Sequence, residues 1–302
     1  MRPLRLLAVA LLLGIVPLFF INLDNRVPDI PRELYAFGHV GFFGLLALLL
    51  MDLPRLRTRP YPVRAGLVLL LILLLGTAIE LLQALVGRQA GLRDVWQNMV
   101  GAAAAVSLFA PQGLPRRLLV GGAAILLAVE LQGPTIGLWD RGVAHARFPV
   151  LGDFDTRFEH RRWSGGVPDD TVARSGERSL RLDLQPEARY AGTTLRRSFG
   201  DWSSYAFLEL SLYNPDDEPL RITVSIRDHA HFKRGGVYHD RFNRSFILET
   251  GWNDLRIPIT DIRNAPAERS LDLSDLAEVV IFTSTHQQHR TLYLDRVRLT
   301  QD

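Results

Sequence analysis

Between Arg64 and Gly101 the chain places ionisable and amide side chains inside what would otherwise be two lipid-soluble helices. The run AGLVLLLILLLG and its continuation are long enough to cross a bilayer, which takes about 20 apolar residues. Glu80 and Gln83 interrupt that run, the link GRQAGLRD carries Arg88 and Asp94, and a second apolar run opens with Asn98 and Gly101. Helical residues three, four and seven apart share a face. Gly76, Glu80, Gln83 and Gly87 therefore form one stripe, and Asp94, Asn98 and Gly101 another. So short a link predicts two antiparallel helices packed stripe to stripe. An ionisable residue within a membrane span is costly and marks a functional site by default.

Three further apolar segments accompany this hairpin. The N-terminal MRPLRLLAVALLLGIVPLFFI is longer than a signal-peptide core and lacks a small-x-small cleavage site, so it reads as a retained helix. Leu34 to Met51 carries His39 near its start, with Gly38, Gly41 and Gly44 giving a smooth surface for close packing. Leu118 to Leu131 is shorter and completes a set of about five spans. Arg2, Arg5, Arg55, Arg57, Arg59, Arg64, Arg116 and Arg117 fall on one side of these spans. Only Arg26, Arg32, Arg88 and Arg93 fall on the other, diluted by acidic residues. The excess predicts a cytoplasmic N-terminus and places everything after Gly133 outside the cytoplasm.

In that topology His39, Glu80, Gln83, Asp94 and Asn98 lie near the outer boundary, within roughly 10 Å at a rise of about 1.5 Å per residue. They can form one outer-leaflet pocket, with Arg88 as the contact for a phosphate or carboxylate at headgroup level. Three readings compete. The polar groups can simply hydrogen-bond helices together. They can bind an anionic amphiphile. Or Glu80 and His39 can act as general acid and base, since burial raises a carboxyl pKa. A single histidine and no obvious nucleophile leave the catalytic and metal readings without a full residue set.

A His on one helix, E-x-x-Q near the end of the next long one, an Arg in the link and then D-x-x-x-N-x-x-G resembles the VanZ-like membrane protein family. Here those positions are His39, Glu80, Gln83, Arg88, Asp94, Asn98 and Gly101, and the resemblance covers residues 1–132. Where the family often carries an Asp-Lys pair before the His, this chain has Tyr35 and Ala36. The resemblance implies a cell-envelope protein, with glycopeptide-antibiotic tolerance or resistance attached to the founding member. It implies no defined reaction.

Residues 133–150 read as a linker, and from Leu151 the pattern changes to alternation. SLRLDL, TTLRRSF, FLELSLYN, LRITVSIRD, RSFIL, DLRIPI, EVVIFTS and TLYLDRVRL are separated by Gly, Asp, Asn and Pro turns. Such spacing predicts an all-β jelly-roll sandwich over 151–302. GDFD, DWSSYAFLELSLYN, GWNDLRIPI and LYLDRVRL resemble, in order, the galactose-binding-like jelly rolls found among carbohydrate-binding modules. The resemblance implies that Trp202, Leu208, Trp252 and Leu294 belong to the core. It also implies a structural Ca²⁺ held by Asp153, Asp155 and Asp295, oxygen ligands of the kind that ion takes. RDHAHFKRGGVYHDRFNRSF packs Arg227, Asp228, His229, Tyr238, Asp240 and Arg241 into a strand-loop-strand segment suited to hydrogen bonding and stacking against sugar. The bland alternative is a solvated loop with one buried Arg-Asp pair.

A net charge of +3 over 302 residues is a poor argument for nucleic acid, and the absence of cysteine excludes disulfides and thiolate metal sites. The expectation is therefore a multi-pass protein of the bacterial inner membrane, a membrane all-α bundle followed by an extracytoplasmic β-sandwich. Its partners are a membrane lipid or lipid-linked glycan and a saccharide, with no other cofactor, and its business is binding rather than turnover. The rivals are a membrane enzyme acting on such a lipid and a structural or protein-binding envelope module.

Overall fold

The structure is a computed structural model that describes residues 12, 14, 33–85, 91–196, 199–284 and 288–301. It divides into two compact units, Met1–Trp139 and Asp140–Asp302. The expected first membrane segment and Arg88 lie outside the described residues, apart from Leu12 and Gly14.

The first unit is all helical. Helices α1 (Glu33–Met51), α2 (Tyr61–Leu85) and α3 (Leu92–Ser107) pack on one another, and α4 (Leu114–Arg147) follows, its residues from Asp140 on counted with the second unit. Their shared core holds Phe43, Ala47, Met51, Val68, Ile72 and Ala102, with Leu12 among them. Helices α1 and α3 touch backbone to backbone. A Cβ at Gly101 would lie 2.2 Å from the Val40 carbonyl oxygen, and one at Gly44 would lie 3.2 Å from that of Gly101. Glycine at these positions is what permits the approach. Away from this core α2 turns Leu67, Leu70, Leu74 and Leu81 outward, all exposed.

Five spans were expected; among the described residues three helices, α1, α2 and α4, are long and apolar enough to cross a membrane. Helix α3 has 16 residues, about 24 Å at 1.5 Å per residue, short of a hydrocarbon core of about 30 Å. Most of the linker expected over 133–150 is helical, because α4 runs through Gly133 and Pro134 to Arg147. A proline removes one N–H and crowds one carbonyl, and here the helix continues past both. Trp139 is half exposed, whereas Asp140 and Ala144 are buried on the other side of this last stretch.

The second unit is a two-sheet antiparallel sandwich. One sheet runs β3 (Val167–Asp169), β4 (Ser179–Leu184), β11 (Arg290–Thr300), β6 (Phe207–Asn214) and β9 (Gly251–Pro258), with β1 (Val150–Gly152) also on β11. The other runs β2 (Trp163–Ser164), β5 (Ala191–Arg196), β10 (Leu276–Thr283), β7 (Leu220–Asp228) and β8 (Phe242–Leu248). Alternation sets the faces: on β7, Leu220, Ile222, Val224 and Ile226 enter the core, while Arg221, Thr223, Ser225 and Arg227 face away from it. Trp202, Leu208 and Leu294 are fully buried between the sheets. Trp252 is not core. It pairs with Tyr213 across β9 and β6 on the outer face of the six-stranded sheet, and Tyr293 of β11 extends the row. Two short helices complete the unit, α5 (His229–Lys233) and α6 (Ile259–Arg263).

Candidate functional site

Two groups of polar side chains stand out, one in each unit. In the helical unit α1 contributes His39, α2 contributes Glu80 and Gln83, and α3 contributes Asp94 and Asn98. His39, Glu80, Gln83 and Asn98 are each at most 3% exposed. The Asn98 Oδ1 lies 2.9 Å from His39 Nδ1. Because a carbonyl oxygen only accepts, Nδ1 carries the proton of a neutral ring and Nε2 the lone pair. That Nε2 lies 3.8 Å from Asp94 Oδ2. Glu80 is held by the Gly91 N–H, which donates to its Oε2 at 3.0 Å. Gly91 precedes α3, so the carboxylate sits at the α3 N-terminus, where the helix dipole favours negative charge. Metal-ligating atoms of His39, Glu80 and Asp94 all fall within 4.8 Å of one another.

Sequence reasoning missed a second polar tie in this unit. Arg93, Trp96 and Gln97 converge on Glu130 of α4, with Gln97 Nε2 donating at 2.9 Å and Trp96 Nε1 at 3.1 Å. The signal was the spacing of 93, 96 and 97 on one helical face opposite a lone acid in an apolar helix.

In the β unit the segment singled out from sequence separates into two parts. Asp228 is fully buried and accepts from the His231 and Asp272 N–H groups, at 2.9 Å each, and from both terminal nitrogens of Arg269. Arg269 also donates to Asp240, from Nε at 2.6 Å. Burial would raise the Asp228 carboxyl, but Arg269 and the two amides outweigh it and hold it below the usual carboxylate range. Asp240 is held low in the same way, first by its hydrogen bonds to Arg269. His229 pairs with Asp275 at 2.8 Å. Asp228, His229 and Asp240 are thus engaged in fastening α5 and its loop.

Arg227, Tyr238 and Arg241 gather elsewhere, at the outer face of the five-stranded sheet. Register places Thr194, Val280, Ser225 and Asn243 in one row across it, and Arg196, Glu278 and Arg227 in the next. Arg227 Nη1 donates to Glu278 Oε1 at 2.5 Å, and the Arg241 guanidinium lies 4.9 Å from the Tyr238 ring centroid. Burial, then the neighbouring Arg227 charge, lowers the Arg241 pKa. Exposed Tyr190 stands edge-on to Phe282 on the same face. Four side-chain atoms here are buried without a hydrogen-bond partner among the described residues: Ser225 Oγ, Asn243 Oδ1, Arg227 Nε and Arg241 Nε. Each such atom costs about 1–3 kcal/mol, so four on one face require an explanation.

Each of the three aspartates expected to hold calcium has protein partners of its own. Asp153 is paired with Arg147. Asp155 Oδ1 accepts from the Glu177 and Arg178 amides, and Asp295 Oδ2 from those of Arg174 and Ser175. Burial raises the Asp295 carboxyl, and the nearby Asp155 charge pushes the same way.

No family model and no curated protein matches the chain. Among solved structures, an exo-beta-agarase matches at 15% identity over 51% of this chain and 25% of that chain, with TM-score 0.41. The chain thus spans about a quarter of the agarase. The family 11 carbohydrate-binding module of the cellulosomal cellulase Lic26A-Cel5E of Clostridium thermocellum matches at 16% identity, over 51% of this chain and 94% of that chain, TM-score 0.37. The family 30 module of the cellulosomal cellulase Cel9D-Cel44B of Clostridium thermocellum matches at 16% identity, over 46% of this chain and 83% of that chain, TM-score 0.32. On its own strand pairing, the chain is a helical unit followed by an antiparallel β-sandwich.

Proposed function

We propose that the chain is a multi-pass, VanZ-like protein of the bacterial inner membrane whose extracytoplasmic β-sandwich binds saccharide on the outer face of its five-stranded sheet. The observation that carries the reading is the set of four unpartnered polar atoms on Ser225, Asn243, Arg227 and Arg241. Sugar hydroxyls both donate and accept, so one ring can satisfy an acceptor at Asn243 and donors at the two guanidinium groups. Tyr238, Tyr190 and Phe282 supply the apolar flank against which a ring packs. The four atoms are shielded, so a ligand reaches them by displacing the long side chains around them.

Membrane insertion is supported by three apolar helices and by the leucines that α2 turns outward, an apolar surface larger than a water-soluble face tolerates. The buried polar cluster of His39, Glu80, Gln83 and Asn98 would then take the headgroup of an anionic lipid or lipid-linked glycan, with Arg88 as its anion contact. This is binding, not turnover.

A second surface has an observation of its own. Tyr213, Trp252 and Tyr293 form a row of tilted and edge-on rings on the six-stranded sheet, with ring centroids 5.2 and 5.9 Å apart, which offers sugar aromatic contact alone. The full chain in detergent, probed against an array of bacterial envelope and plant glycans, separates the two. Loss of binding in Arg241→Ala and Asn243→Ala with retention in Trp252→Ala is expected; the reverse pattern assigns the aromatic row, and no glycan bound at all removes the saccharide reading.

A further inference from the structure

The group formed by His39, Glu80 and Asp94 has more chemistry in it than a polar contact between helices. His39 Nδ1 is committed to Asn98 Oδ1, so its Nε2 lone pair is turned toward the Asp94 carboxylate at 3.8 Å. That separation is too long for a hydrogen bond. The Glu80 carboxylate, fixed by the Gly91 amide, brings a third lone-pair donor, and the ligating atoms of all three lie within 4.8 Å of one another. Three lone-pair donors converging on one point in a buried environment are the arrangement that coordinates a cation.

We propose that His39 Nε2 and the carboxylates of Glu80 and Asp94 form a three-ligand site for a divalent metal ion of the Zn²⁺ class. One imidazole nitrogen and two carboxylate oxygens suit that ion. Tetrahedral coordination at bond lengths of about 2.0–2.2 Å sets ligand atoms about 3.3–3.6 Å apart. The observed 3.8 Å from His39 to Asp94 is close to that before any side chain moves. Asp94 is in the first turn of α3 and a third exposed, so it can move to close the set. Asn98 acts through His39: its hydrogen bond fixes the ring tautomer, as the outer partner of a metal-bound histidine does. Three protein ligands leave a fourth position for water or an anionic oxygen. The site does not depend on the saccharide reading, since every ligand is in the helical unit.

The test uses the full chain in detergent, purified through a histidine-free tag, loaded with Zn²⁺ alone and dialysed against metal-free buffer. Elemental analysis is expected to find one zinc per chain in the wild type and none in Glu80→Gln or Asp94→Asn. The metal-free thermal midpoint of Asp94→Asn should match that of the metal-free wild type, which separates lost coordination from lost fold. X-ray absorption on the zinc-loaded wild type keeps the test open if a variant fails to fold: one imidazole with oxygen ligands is expected. No retained zinc in the wild type, equal zinc in both variants, or two or more imidazoles on the metal would each overturn the site.

Discussion

Replacing Arg269 by Ala removes a side chain that bridges Asp228 and Asp240, and its cost can be worked from the contacts. The guanidinium makes two hydrogen bonds to each carboxylate, at 2.5 and 2.8 Å to Asp228 and at 2.6 and 3.0 Å to Asp240. Removing one partner of a buried ion pair costs about 3–5 kcal/mol, chiefly by stranding the other charge. Asp228 is fully buried but keeps the His231 and Asp272 amides, which sets the expectation at the lower end, about 3 kcal/mol. Asp240 is partly exposed and adds less than about 1 kcal/mol. Hydrogen exchange of the β7 and β10 amides in the full chain reads the β unit alone. Exchange should accelerate by about two orders of magnitude, at about 1.4 kcal/mol per tenfold. Adding Asp228→Asn to Arg269→Ala removes the stranded charge, so the double variant should be less destabilised than the two single effects summed. A loss below about 1 kcal/mol for Arg269→Ala would mean that the two amides suffice, and the reasoning would be wrong.

Acid should find the same network. Because folding holds the Asp228 and Asp240 carboxyls below their unfolded values, their contribution is present above the unfolded value of about 3.9 and is lost as pH falls through the folded one. Arg269→Ala lets the folded carboxyls rise toward or past the unfolded value, so the stability gap between wild type and variant should narrow as pH falls, seen by following β-unit exchange or near-ultraviolet dichroism down an acid titration. Gly101→Ala drives a Cβ to 2.2 Å from the Val40 carbonyl, and backbone cannot yield as a side chain does. A cost of about 1–3 kcal/mol should lower the thermal midpoint of the helical unit in detergent, and an unchanged midpoint would contradict the close packing of α1 on α3. Glu130→Leu leaves the Gln97 amide and the Trp96 N–H without their acceptor. It should cost about 1–3 kcal/mol and speed exchange of the α4 amides near residue 130.

The sandwich was legible because alternation is strong wherever a strand is half buried. SLRLDL, FLELSLYN and LRITVSIRD coincide with β4, β6 and β7. Strands β1, β2 and β3, of two or three residues, are too short to carry a period. Residues 133–150 read as a linker for want of periodicity, yet neither Gly133 nor Pro134 ends α4; local propensity yields to the rest of the helix. Trp252 was misassigned because a large aromatic beside a hydrophobic strand reads as core, whereas register alone decides its face. The helix stripes brought Glu80, Asp94 and Asn98 together, since helical spacing and a short link constrain them strongly, and His39 joined them by its depth along its own helix. The roles of Asp228 and Asp240 were hidden because their partner, Arg269, is 41 residues from Asp228 and 29 from Asp240, and nothing local announces it. The orphaned atoms on the five-stranded sheet are likewise a property of tertiary packing.

Hydrogen exchange of the full chain with and without a saccharide selected from the glycan array tests the proposed function most directly, because it locates the ligand. New protection is expected over 223–227, 241–245 and 278–282, on the outer face of the five-stranded sheet. Protection over 211–213, 252–254 and 291–295 instead, or none at any saccharide concentration, would contradict it.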